Sequence, residues 1–134
     1  MENPRILVDT SVIIDFLRKQ YKEKTLLWAL KENNTCFMSS VTYFELLAGA
    51  TNDSKQDDIK KVCKWIPVLD FEEGSARFAA EIYRELKKDN NLVEFRDIFI
   101  AATALQHDFP LASLNNAHFE RIKSLHLHPC PLPS

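Results

Sequence analysis

The chain has 134 residues, 46% of them hydrophobic, which is long enough to bury one core and lies in the usual size range of one domain. Its formal net charge of −2 gives no global electrostatic footprint for nucleic acid, although a local basic rim around an acidic site would be invisible in that sum. The two glycines, Gly49 and Gly74, argue against a glycine-rich phosphate loop and an all-β sandwich, and the three scattered cysteines, Cys36, Cys63 and Cys130, against a disulfide framework.

In chain order, Arg5-Ile-Leu-Val-Asp9 reads as a short strand ending in a carboxylate, after which Thr10-Ser11 introduce a helix through Val12 to Leu17. A second helix is expected over Lys22 to Asn33, with Leu26, Leu27 and Leu30 as its apolar stripe. Thr35 to Ser39 suits a second strand, and Ser40 is placed to cap a helix through Ala48 that Gly49 closes. Thr51 to Lys61 is expected to be a loop entering a short helix, Trp65 to Leu69 a third strand, and Glu72 to Lys88 a helix broken by Asp89-Asn-Asn91. The segment Glu94 to His107 is apolar on nearly every side and should be central. Pro110 to Leu114 follows as a fourth strand, Asn116 to Arg121 as a short helix, Ser124 to His128 as a last extended segment, and 129–134 as a flexible Pro-rich tail.

No run approaches the roughly 18 apolar residues of a membrane span, and Met1-Glu-Asn-Pro-Arg5 has no secretory n-region, so a soluble cytoplasmic protein with free thiols is expected. Strands alternating with helices favour a parallel sheet covered on both faces, whose ligand site lies beyond the carboxyl ends of the strands. That edge is where Asp9, Glu45, Asp97 and Asn115 converge. The three acids interrupt or adjoin apolar runs, where an unpaired carboxylate is costly, so a counter-charge or cation is called for. Clustered carboxylates with an amide and hydroxyls suit Mg²⁺ or Mn²⁺, and with it phosphodiester hydrolysis.

Four segments then carry a resemblance: Ile6-Leu-Val-Asp-Thr-Ser-Val-Ile-Ile-Asp15, Ser40-Val-Thr-Tyr-Phe-Glu-Leu-Leu-Ala-Gly49, Val93-Glu-Phe-Arg-Asp-Ile-Phe-Ile-Ala-Ala-Thr-Ala104 and Leu111-Ala-Ser-Leu-Asn-Asn-Ala-His-Phe119. They resemble, in order, the four motifs of PIN domains, and most closely those of VapC-like toxins of type II toxin-antitoxin modules. The resemblance implies residues 1–134 as a single α/β domain, a PIN-like three-layer α/β/α fold with a short central parallel sheet of four to five strands. It further implies a divalent-metal-dependent endoribonuclease that forms a homodimer and is inhibited by a cognate antitoxin. Asp9, Glu45 and Asp97 match the catalytic acids, Asp9 and Asp97 as metal ligands. Thr10 and Ser11 match the neighbouring hydroxyl positions, and Asn115 stands where many PIN domains carry a fourth acid. Arg96, Arg121 and Lys123 are candidate RNA contacts.

The alternative is a catalytically silent PIN domain that binds nucleic acid or protein within an antitoxin complex, a reading supported by the amide at Asn115. Asp15, Glu94 and His118 are better read as ordinary surface or structural groups, and His126, His128 and Cys130, without a fourth ligand, as edge-strand side chains. Trp28 is expected in the core, with a groove for an antitoxin helix as its other role.

Overall fold

The computed structural model describes residues 3–129. They form β1 (Arg5–Val8), α1 (Thr10–Arg18), a 3-10 turn (Lys22–Lys24), α2 (Leu26–Asn33), β2 (Thr35–Ser39), α3 (Ser40–Gly49), α4 (Asp53–Trp65), β3 (Val68–Leu69), α5 (Glu73–Lys88), α6 (Phe95–His107), β4 (Leu111–Ala112) and a second 3-10 turn (Asn116–His118). Every strand pair is parallel and the order is β3-β2-β1-β4, with Leu7 opposite both Phe37 and Leu111. The architecture is therefore the expected parallel α/β sheet flanked by helices. The last extended segment joins it through one parallel bridge, Leu111 to Leu127.

Period-two alternation explains the layering. Ile6 and Val8 of β1 enter a core built with Val12, Ile13, Leu27, Leu46 and Val62 from α1 to α4. Leu7, pointing the other way, enters a second core with Ile82, Ile98, Ile100 and Phe119. Both faces of the central strand are thus dry, as parallel sheets require, which is why β1 has no polar residue between Ile6 and Val8.

Several boundaries differ from expectation. The region read as a loop entering a short helix is the 13-residue α4, whose polar sequence buries only Ile59 and Val62 and whose start is set by Asn52 accepting from the Lys55 N–H. Trp65 ends that helix, so the third strand shrinks to Val68–Leu69. Ser39, not Ser40, caps α3 through the Thr42 N–H, and the helix runs through Gly49 to a cap at Ala50. The expected helix from Lys22 is interrupted at Thr25, which caps α2 instead. Trp28 is 43% exposed, at the edge of the core. The Pro-rich tail lies outside the described residues except for Pro129, as does Cys130.

The connection from β1 leads to β2 on one side, whereas β4 arrives on the other. The crevice between the carboxyl ends of β1 and β4 is therefore the switch point at which such sheets bind ligands.

Candidate active site

Asp9 is the first residue past β1 and occupies the N-cap of α1, yet its side chain makes no capping hydrogen bond. It turns instead into the crevice and is 1% exposed. Its Oδ2 accepts from the hydroxyls of Ser11 and Ser113, each at 2.9 Å. Both serines are themselves held by the chain after β4: Ser11 Oγ accepts from the Leu114 N–H at 3.0 Å and Ser113 Oγ from the Asn115 N–H at 2.9 Å. The first acid is thus fixed by two hydroxyls whose orientation is set by backbone donors.

Asp97 lies in the first turn of α6, where the helix dipole favours an anion, and is 3% exposed. Glu45 reaches in from the middle of α3. Its Oε1 accepts from Thr10 Oγ1 at 2.7 Å. Thr42 Oγ1, 2.9 Å from Thr10, anchors that hydroxyl from the other side.

Arg96 joins the three acids. Its Nε and Nη2 grip the two oxygens of Glu45 at 2.8 and 2.9 Å, a bidentate fork. Nη1 donates to Asp97 Oδ1, and Nη2 lies 3.4 Å from both Asp9 Oδ1 and Thr10 Oγ1. Burial of the acids is thereby met by the counter-charge that their apolar surroundings demand. Burial alone would push the Glu45 carboxyl up, but the hydrogen bonds from Arg96 and Thr10 and the charge of Arg96 outweigh it and hold Glu45 below the usual carboxylate range. At Asp97 the balance is reversed. Burial dominates, aided by Asp9 and Glu94, and raises its carboxyl despite the opposing charges of Arg96 and His118. The Arg96 guanidinium is driven further above its ordinary value by its bonds to Glu45, against burial, with the charges of Asp9, Glu45 and Asp97 adding to them.

Asp9 and Glu45, with Arg96, open onto a cleft of about 740 Å³ whose walls include Ser11, Asp15, Leu114 and Asn115, with Arg18 and Lys19 at its rim. Asp9, Thr10, Ser11, Glu45, Arg96, Asp97 and Asn115 are therefore brought together, as the spacing of the motifs predicts. Asn115 is exposed at the mouth, and His118 approaches Asp97 Oδ2 at 3.8 Å. Arg121 instead donates to the Leu92 carbonyl at 3.2 Å, and neither it nor Lys123 lines the cleft. Asp15 pairs with Lys19 at 3.7 Å. Three residues of this environment escape sequence reasoning. Ser113 is hidden inside a presumed strand, and Arg18 and Lys19 lie two helical turns beyond Thr10, a spacing that points them along the same helix toward the cleft rim.

The donor set consists of oxygens, from carboxylates, hydroxyls and one amide. Among the described residues no three Asp, Glu, His or Cys side chains are close enough to enclose an ion unaided. Such a set fits a hard divalent cation that takes one or two carboxylates, here Asp9 and Asp97, and retains several waters.

The acids are assembled at the carboxyl edge of a short parallel sheet, and residues 6–125 match the PIN domain model; the chain belongs to the PIN-domain family. Within the family it is VapC-like. Ribonuclease VapC1 of Methanocaldococcus jannaschii is 33% identical over 127 residues, covering 94% of this chain and 87% of that protein. VapBC2 of Rickettsia felis, solved bound to a DNA fragment from its promoter, shares the fold with a TM-score of 0.83 at 21% identity, over 95% of this chain and 99% of that one. VapBC-5 of Mycobacterium tuberculosis, a member of the VapBC family of toxin-antitoxin systems, superposes with a TM-score of 0.66 at 21% identity, over 91% and 93%.

Proposed function

We propose that this protein is a divalent-metal-dependent endoribonuclease, the toxin of a toxin-antitoxin pair, acting on RNA in the cytoplasm and restrained by a cognate antitoxin. The observation that carries the reading is the convergence of Asp9, Glu45 and Asp97, from three separate elements, on the crevice between β1 and β4. The similarity to a ribonuclease over nearly the whole chain, and the fold shared with VapBC proteins, support it.

Asp9 and Asp97 would hold Mg²⁺ or Mn²⁺, which when bound activates a water and offsets charge developing on the phosphoryl oxygens. Ser11 and Ser113 keep Asp9 in one orientation, so no reorganisation is needed when charge arrives. Glu45, fixed by Thr10 and held on both oxygens by Arg96, would take a proton from an attacking water once the guanidinium releases it. Asn115 offers an amide to orient water or a phosphate oxygen, and Arg18 and Lys19 supply positive charge for the RNA backbone where the acids alone would repel it. The aromatic face formed by the exposed Phe71 and Phe95 and the half-buried Phe99 between them is the surface that a homodimer would cover.

The test is cleavage of total cellular RNA by partner-free protein with Mg²⁺ or Mn²⁺, against EDTA and an Asp97→Asn control prepared identically. Discrete fragments that disappear in both controls are expected. Intact RNA with folded protein at saturating metal would replace this reading with the silent binding domain.

A further inference from the structure

Asp9 Oδ2 is taken up by the hydroxyls of Ser11 and Ser113, so the oxygen it turns toward the centre of the site is Oδ1. That is the atom Arg96 Nη2 approaches at 3.4 Å. On the other acid expected to hold metal, Asp97, Oδ1 takes Arg96 Nη1. The guanidinium therefore bridges one oxygen of each of the two acids expected to hold a divalent cation, while Asp97 Oδ2 faces His118 at 3.8 Å. Magnesium requires oxygens at about 2.0–2.1 Å and cannot occupy the same place as N–H groups of like charge.

Arg96 nevertheless has a way out. Its side chain is 26% exposed on the cleft, whereas those of Asp9 and Asp97 are 1% and 4% exposed. The acids are buried and the arginine borders solvent. Three carboxylates against one guanidinium also leave the cluster with surplus negative charge, so a divalent ion is drawn to it even while Arg96 is in place.

We propose that Arg96 is a displaceable internal counter-ion: it holds the acid cluster together before metal arrives, competes with the incoming divalent cation for Asp9 Oδ1 and Asp97 Oδ1, and swings into the cleft when the cation binds. The inference rests on the metal-dependent reading of the site. Its consequence is that the metal affinity of the intact protein is lowered by the fraction of time the arginine is out, since only that state is competent to bind. An open fraction of roughly one in ten weakens the apparent affinity about tenfold.

The experiment measures metal binding rather than turnover. Calorimetric titration with MgCl₂ and MnCl₂ is run on the full chain and on Arg96→Gln and Arg96→Lys, together with melting curves in EDTA and in metal. The Arg96 side-chain Nε–H resonance of the unmutated protein is followed by NMR as Mg²⁺ is added. Arg96→Gln is expected to bind metal about tenfold more tightly or better, with Arg96→Lys between it and the parent. It should also melt lower in EDTA and gain more from metal, and the Nε–H signal, protected by Glu45, should shift and exchange faster with Mg²⁺. Metal binding by the parent with equal or weaker binding by Arg96→Gln, and an unmoved Nε–H signal, would overturn the proposal while leaving the nuclease reading intact. No metal binding by any of the three proteins would remove the metal reading and the proposal with it. Should Arg96→Gln fail to fold, Arg96→Lys and the NMR titration of the parent decide the matter.

Discussion

Replacing Ser113 by alanine removes one of the two hydroxyls that accompany Asp9 Oδ2 and, with it, the acceptor of the Asn115 N–H. Hydrogen bonds to charged groups contribute about 1.5–3 kcal/mol, and the carboxylate left behind is 1% exposed, so water cannot readily replace the lost donor. A loss of about 2 kcal/mol is expected. At about 2.1 cal/mol/K per residue of unfolding entropy over 134 residues, that corresponds to a drop in Tm of about 7 °C. Urea unfolding in EDTA measures it directly, and a cycle with Asp9→Asn isolates the pair. In the Asp9→Asn background, where the acceptor is uncharged, Ser113→Ala should cost about 1 kcal/mol or less. Equal losses in both backgrounds, or a loss below about 0.5 kcal/mol in the parent, would show that the hydroxyl does not act through the carboxylate.

Asp97→Asn should lower RNA cleavage by at least about 10²-fold while leaving the chain folded, because burial already works against its charged form; circular dichroism beside the cleavage assay checks both. Arg18→Ala and Lys19→Ala, each made in the inactive Asp97→Asn protein, should weaken binding of a fluorescent RNA and each flatten the slope of log affinity against log salt by about 0.7, as expected for one phosphate contact on a single strand. Unchanged slopes would place the RNA elsewhere. Cys36 gives an alkaline signature: burial pushes its thiol from 9.0 up to about 11, against a small opposing effect of Lys31. The folded state then holds its proton more tightly than the unfolded chain, so this stability is complete below about pH 9 and is lost as pH rises toward 11, by up to about 2–3 kcal/mol relative to Cys36→Ala. Parallel pH profiles for the two proteins would refute it.

The architecture is legible in the sequence because both faces of β1 are dry and because each strand ends in a recognisable polar junction, Asp9-Thr10-Ser11 after β1 and Ser39-Ser40 after β2. α4 is harder to read. With only Ile59 and Val62 buried among 13 residues, its apolar stripe is too thin to distinguish from a solvated loop, although Asn52 marks its start. The three acids are legible for a related reason, since each breaks an apolar run at the sheet edge. Their surroundings are less so. Ser113 lies 104 residues from Asp9 and Arg96 lies 51 from Glu45, so these contacts exist only once the strands are registered. The sequence offers Arg96 as a candidate RNA contact because a basic residue lies beside the third motif. Local sequence records that a guanidinium is present beside Asp97, but not that Glu45 turns it inward.

The position of β1 between β2 and β4 has a consequence for the order in which the protein is made. Asp9 and Glu45 are synthesised early, but Arg96 and Ser113 follow long after them. At about 5–20 residues per second, some 5–20 s separate the synthesis of Asp9 from that of its second hydroxyl partner 104 residues on. During that interval the crevice has only one wall, because the strand that closes it has yet to be made. A growing or truncated chain therefore carries its early acids beside Thr10 and Ser11 but without Arg96 and Ser113, and the site becomes whole only when translation of the fold is nearly complete.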